Sequence, residues 1–190
     1  YLDGGDGTDT AYYRNPDASR FTYAYVSGVA TDPEHIVFTM TDQDGHEGTD
    51  TLTNIEKISF NNTIYSLVLG DDGVNGLITG TADTQDLILG FGGADRLYGD
   101  VTKNNKDNTL NTTKADVLIG GGGGDTLIGD VYVNNGVITT AGDDTLMGGD
   151  GADWLYGDAY FNSGTITTAG DDTLIGGAGN DRLYGDVTKN

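Results

Sequence analysis

Aspartate recurs in this chain at fixed distances, and the spacing is the first sign of chemistry. Asp86 and Asp95 are nine residues apart, as are Asp116 and Asp125, Asp144 and Asp153, and Asp172 and Asp181. The second members of the last three pairs sit in glycine runs, GGGGGDTLI at 120–128, GGDGADWLY at 148–156 and GGAGNDRLY at 176–184. Glycine tolerates positive φ, so such a loop can turn its carbonyls inward. Carbonyls plus a carboxylate suit a hard divalent cation, which takes six to eight oxygens at roughly 2.3–2.6 Å. Asp beside Gly also makes turns with no metal, and for a single DGxD that is the ordinary reading. Carboxylates recurring in phase argue against it, because bare charges stacked closely repel.

The elements that position these residues are repeats within a repeat. Residues 95–104 read DRLYGDVTKN, and residues 181–190 read the same, as if the chain were a piece of a longer array. Gly129-Asp130, Gly157-Asp158 and Gly185-Asp186 are each 28 residues apart, and Gly99-Asp100 precedes the first by 30. Each 28-residue unit holds one compact glycine loop and one interrupted loop. The interrupted loop starts with Gly-Asp and ends with Ala-Gly-Asp-Asp, with VYVNNGVITT at 131–140 or AYFNSGTITT at 159–168 in between. Alternating β-formers around Asn-Asn-Gly or Asn-Ser-Gly predict small hairpins projecting from one edge. Residues 101–115 are more polar and predict an irregular first projection.

The nine-residue unit fits G-G-x-G-x-D-x-U-x, with U large and apolar, and it recurs over about residues 76–190. It strongly resembles the RTX (repeats-in-toxin) family of hemolysin-type calcium-binding nonapeptide repeats. The resemblance implies an all-β fold: a parallel β-roll, a right-handed β-solenoid with calcium in its GGxGxD loops. Two units would make one turn, with a loop at each edge and turns about 4.8 Å apart, so that an ion can be shared by successive loops. Calcium is the implied cofactor. On the compact edge the implied carboxylates are Asp95, Asp125, Asp153 and Asp181. Main-chain oxygens of Gly120, Gly121, Gly122 and Gly123, of Gly148, Gly149, Asp150 and Gly151, and of Gly176, Gly177, Ala178 and Gly179 would complete the shells. Phe91 replaces the second glycine of the first loop. On the other edge the implied carboxylates are Asp86, Asp116, Asp144 and Asp172, with Asp143 and Asp171 as helpers.

Residues 1–75 are poorer in glycine and read as a β-rich spacer that caps the roll at 76–190. FTYAYVSG at 21–28 and HIVFTM at 35–40 predict strands, and LTNIEKISF at 52–60 predicts a strand with a bend. GGDGTDTA at 4–11 and GHEGTDTL at 45–52 are near-matches to the repeat, making Asp9 and Asp50 further candidate ligands.

Composition narrows the function. Nine Lys and Arg against 30 Asp and Glu give a net charge of −21, which disfavours nucleic acid as a partner. No apolar run approaches the roughly 18 residues of a membrane-spanning helix. There is no cysteine, so a metal rather than disulfides must staple a secreted chain. Eleven Tyr, five Phe and regular Leu and Ile argue against a disordered acidic tail. His35 and His46 are the only histidines and form no zinc-protease motif, and no lipase elbow is present. The chain therefore reads as non-catalytic: a calcium-binding structural and folding module, secreted through a one-step (type I) channel to the cell surface or medium. Its partners would be calcium and flanking repeats of the same chain. One alternative is a self-assembling surface-layer or adhesin segment; the other is a polysaccharide-binding module of a secreted enzyme. The alternatives draw on a stripe that strand alternation turns outward, Arg96, Thr126, Trp154 and Arg182 with Tyr98, Ile128, Tyr156 and Tyr184.

Overall fold

The computed structural model describes residues 1–14, 17–29 and 32–186, with side chains at all of these except 29 and 32–35. The side chain of His35 and residues 187–190 of the second DRLYGDVTKN copy lie outside them. The chain is all-β, and its parallel coils stack into a β-roll of about four turns. Glycine loops break the chain into strands too short and too β-branched for helix, and each strand finds its partner one coil away.

One coil shows the pattern. Val117–Gly122 leads through the compact loop into Thr126–Ile128, and then through Gly129-Asp130 into Val131–Asn134. A tip turn leads into Val137–Thr140, and Ala141 to Asp144 returns the chain to Thr145–Gly151 of the next coil. Identical positions lie in register: Leu118, Leu146 and Leu174 on one wall, and Leu97, Leu127, Leu155 and Leu183 on the other. Leu97, Leu118, Leu127, Leu146 and Leu155 pack across the roll as one core and are fully buried, with Leu174 partly buried against them. Each contributes about 1.5–3 kcal/mol over an exposed position.

The inserted decapeptides are not hairpins. Val131–Asn134 pairs in parallel with Val101–Asn104 and Ala159–Asn162, and Val137–Thr140 pairs with Thr109–Thr112 and Thr165–Thr168. The two strands of one insertion belong to different three-stranded sheets and face each other through side chains. Val131, Ile138, Ala141 and Ala159 form a separate buried core there. Alternation plus Asn-Gly serves a hairpin and a side-chain-packed arch equally. The arch wins because a like strand waits above and below to take the backbone hydrogen bonds. The insertions thus widen each coil into a side arm joined to the roll at a waist. The first copy is regular too. Its two extra residues fall in the tip between Asn104 and Thr109, where Asn108 N–H donates to Asn105 O.

The arm tip is held by a ladder the sequence reading missed. Asn104 Nδ2 donates to Asn134 Oδ1 at 2.9 Å, and Asn134 Nδ2 to Asn162 Oδ1 at 2.9 Å. Asn134 Oδ1 also accepts from Gly136 N. Asn104 and Asn134 are buried.

The stripe beside the inner leucines faces outward only in part. Arg96 and Trp154 are exposed, whereas Tyr98, Ile128 and Tyr156 are buried where the arm meets the roll. Tyr98, Tyr132 and Tyr160 stack face to face at 5.4 and 5.1 Å, as do Tyr156 and Tyr184 at 5.0 Å. Arg182 covers the Trp154 ring at 4.5 Å. Most of the ring faces that a sugar would need are already taken by neighbours.

At the other end, a four-stranded sheet in the order Leu2–Asp3, Thr49–Thr53, Asp32–Asp42, Phe21–Val29 lies against the roll. Strand Thr49–Thr53 ends at Asn54 (φ 51°) before Lys57–Phe60, giving the expected bend. Asn61 and Asn62, at φ 46° and 73°, then turn the chain into antiparallel Thr63–Leu69, which begins the parallel stack of the roll. Phe21, Phe38, Met40, Leu52 and Phe60 share one core with Leu87, Leu89 and Phe91, so packing runs through residue 75.

Replacing Asn134 by Ala removes the middle rung and leaves buried amide groups unpaired. It should destabilise the calcium-loaded chain by about 2 kcal/mol. Asn135→Ala, which touches only the exposed Ser163 hydroxyl, should change stability by less than about 0.5 kcal/mol. Urea denaturation of both variants in calcium checks the difference.

Candidate metal centres

The compact loops are shaped by two left-handed glycines each. Gly121 and Gly123 have φ of 102° and 129°, and Gly149 and Gly151 have 108° and 148°. A side chain at Gly121 or Gly149 would also strike the carbonyl of the coil before it. Phe91 takes the same turn at φ 70°, a strain of about 1–3 kcal/mol. Its ring offsets this by filling the junction against Tyr25 and Phe38, with centroids at 5.8 and 5.9 Å.

The sixth-position aspartates Asp95, Asp125 and Asp153 are buried and half-satisfied. Asp95 N–H donates to Asp125 Oδ1 at 2.8 Å, Asp125 N–H to Asp153 Oδ1 at 2.8 Å, and Asp153 N–H to Asp181 Oδ1 at 3.1 Å. Oδ2 of Asp95, Asp125 and Asp153 is buried and meets no donor. A β-carbon placed on Gly90 would lie 2.7 Å from both Asp95 Oδ2 and Gly120 O. The same point beside Gly120 touches Asp125 Oδ2 and, at 2.7 Å, Gly148 O, and beside Gly148 it touches Asp153 Oδ2 and Gly176 O. A carboxylate of one coil and a carbonyl of the next thus converge on one small cradle. Such an oxygen-only, two-coil cradle fits calcium.

The waist repeats this geometry despite the insertion. Gly129 abuts Asp144 Oδ2 and Gly157 O; Gly99 abuts Asp116 Oδ2 and Gly129 O; Gly157 abuts Asp172 Oδ2 and Gly185 O. Asp86, Asp116 and Asp144 donate N–H to Asp116, Asp144 and Asp172 Oδ1 at 2.8, 2.7 and 2.9 Å. Oδ2 of Asp116, Asp144 and Asp172 again has no donor. The aspartate is five residues after the cradle glycine on the compact edge and fifteen after it at the waist, or seventeen from Gly99 to Asp116, yet it reaches the same place.

The other candidates fall in different settings. Asp86 already accepts from Thr81 N and Thr84 Oγ1, so it presents no free oxygen. Asp143 and Asp171 are exposed, and Asp143 Oδ1 accepts from Asp171 N. Asp150 has an exposed side chain, and its carbonyl accepts from Gly123 N. Asp9 Oδ2 is buried without a donor beside Gly4, as in the roll. Asp50 accepts from Tyr13 Oη, and the loop before it closes an antiparallel strand pair around the Asp42 carboxylate. Two features escaped the sequence reading. GDDGVNG at 70–76 is a further compact loop with Asn75 at position six, its N–H on Asp95 Oδ1. Asp100, Asp130 and Asp158 are buried at the waist, although their Gly-Asp period was visible. Among the described residues no three His, Cys, Asp or Glu side chains gather around one point, so carbonyls must supply most of any shell.

Burial sets the electrostatics. Loss of water lifts the carboxyls of Asp95, Asp100 and Asp172 to about 7 and those of Asp125 and Asp158 to about 6. Asp116 reaches about 10 through burial and the neighbouring Asp100 charge. Asp130 and Asp144 are held well above the usual carboxylate range by burial and by the carboxylates around them.

Residues 107–131, 137–159 and 166–187 match the family model described as RTX calcium-binding nonapeptide repeat (4 copies). These stacked coils are RTX repeats. No curated protein and no solved structure matches the chain. The RTX repeats support a calcium-binding structural module.

Asp153→Ala should raise the calcium concentration for half-folding at least severalfold, and Asp150→Ala should leave it nearly unchanged. Calcium titrations followed by circular dichroism separate the two, and equal midpoints would refute the register. In chelator the raised carboxyls keep protons that the unfolded chain releases near pH 4. Metal-free stability is therefore fullest below about pH 4 and falls as pH rises through about 6 to 7 and beyond. More β signal in chelator at pH 4 than at pH 7.5 is the expected result.

Proposed function

We propose that this chain is a calcium-gated folding module of a secreted repeat protein, unfolded where calcium is scarce and folded outside the cell. The observation that carries the reading is the run of buried aspartate oxygens without donors. A chain of net charge −21 cannot keep those carboxylates ionised and buried without cations. Metal binding then supplies folding free energy. In this reading Asp95, Asp125, Asp153 and Asp181 ligate calcium on the compact edge, and Asp116, Asp144 and Asp172 do so at the waist. Gly-rich carbonyls of adjacent coils complete the shells, and Asp9 marks a separate site. Residues 1–75 cap the first coil. The chain's own groups do the orienting: the backbone N–H on Oδ1 fixes each carboxylate, and the left-handed glycines aim the carbonyls. Bound calcium supplies the positive charge that lets the coils close.

Calcium should convert the chelated chain from disordered to β-rich at neutral pH, and magnesium should not, because magnesium demands tight octahedral geometry and keeps its waters. Full β signal in chelator at pH 7.5 would refute the gating.

A further inference from the structure

We propose that Asp100, Asp130 and Asp158 are calcium ligands of a second kind, pairing across the waist with Asp116, Asp144 and Asp172 so that each waist ion is held by two carboxylates. The proposal rests on the module reading above and adds residues to it. These three aspartates occupy the second position of the interrupted loop, where the compact loops carry Gly121, Gly149 and Gly177. Their exposures are 0%, 0% and 1%. Neither oxygen of Asp100 meets a hydrogen-bond donor in good geometry, and the same holds for Oδ2 of Asp130 and Asp158. Oδ1 of Asp130 and Asp158 is oriented by Gly142 N and Gly170 N, at 3.2 and 3.0 Å. This is the arrangement of the sixth-position aspartates, with one oxygen fixed and one free.

The insertion gives the physical reason. In a compact loop the second residue turns back at positive φ. At the waist the chain instead runs on into the arm, and Asp130 O becomes a ladder acceptor for Asp100 N and Val101 N. Asp158 O does the same for Asp130 N and Val131 N. Carbonyls drawn into the ladder have less to offer an ion, and the side chain makes up the loss. The two carboxylates of a pair meet at one glycine: Gly142 N donates to Asp130 Oδ1 while a β-carbon on Gly142 would lie 3.0 Å from Asp144 Oδ1, and Gly170 stands the same way between Asp158 and Asp172. Two carboxylates per coil balance one divalent ion. Lys114 lies near Asp100, but the positions 28 and 56 residues on are Gly142 and Gly170, so no lysine follows at the later pairs.

The test is the full chain carrying both Asp130→Asn and Asp158→Asn, with Asp107→Asn as an exposed control. Native mass spectrometry in calcium counts bound ions, and thermal melts are run in calcium. The proposal expects fewer ions than wild type and a lower melting midpoint. The control should match wild type in both. An unchanged ion count, or a midpoint in calcium equal to or above wild type, overturns the waist pairing alone. A wild-type chain that takes up no calcium overturns the module reading and this proposal together. Should the double variant not fold, Asp130→Asn alone is judged by the same ion count.

Discussion

The hydrogen bond from one aspartate's backbone N–H to the carboxylate of its counterpart one coil on is the interaction the roll is built around. It fixes the distance between coils, the register of the flanking strands and the orientation of every sixth-position side chain. It also creates the roll's difficulty. Fixing Oδ1 to the backbone points Oδ2 into a space lined by carbonyls, where it has no donor and no water. Repeated on both sides of each coil, this leaves two columns of buried charge. Stacking leucines lowers the free energy of closing a coil, whereas uncompensated carboxylates raise it. On the proposed reading a cation in the cradle reverses the second effect and makes folding conditional on a suitable ion.

The decapeptide insertions show how little of a coil a cradle needs. Only the glycine, the aspartate and the carbonyl from the next coil must meet. The ten residues leave after Gly-Asp and return before Ala-Gly-Asp-Asp, so the chain can build an arm with its own small core while the cradle stays closed. Arm and roll share a 28-residue period, and each holds the other in register: leucines and aspartates in the roll, Asn104, Asn134 and Asn162 in the arm.

Much of this is legible in the sequence, because a period repeats the same evidence in every coil. The nonapeptide and the phase of its glycines and aspartates can be read from spacing, and the parallel stack follows from the resemblance to RTX repeats. What spacing does not carry is which partner a strand chooses. Val131 to Thr140 has the alternation and the Asn-Gly of a hairpin, and only the presence of like strands above and below makes it an arch. That choice also buries Tyr98, Ile128 and Tyr156, which strand alternation alone turns outward. The asparagine ladder had a signal, Asn at 104, 134 and 162 in step with Gly-Asp, but a polar residue near a turn reads as surface. GHEGTD at 45–50 failed the other way: its motif is nearly right, but no neighbouring coil exists to share an ion, and Asp42 organises the loop instead.

The two ends of the stack differ in a way that follows from the same chemistry. At the first coil the protein meets its own needs with hydrogen bonds. Asn75 stands at position six in place of an aspartate, Thr81 and Thr84 satisfy Asp86, and Phe91 seals the junction to the preceding sheet. From Asp95 onward the buried carboxylates of the coils carry a free oxygen. The base of the roll can therefore close on protein contacts alone and present a formed edge, with strand N–H and C=O groups in register, to the coils that need metal. Each added coil completes the cradle of the one before it, because Gly120 O, Gly148 O and Gly176 O belong to the coil above the carboxylate they serve. On the proposed reading the coils from Asp95 onward depend on the ion and the first does not, so a calcium-poor chain would keep its strongest local structure at the end nearest residues 1–75.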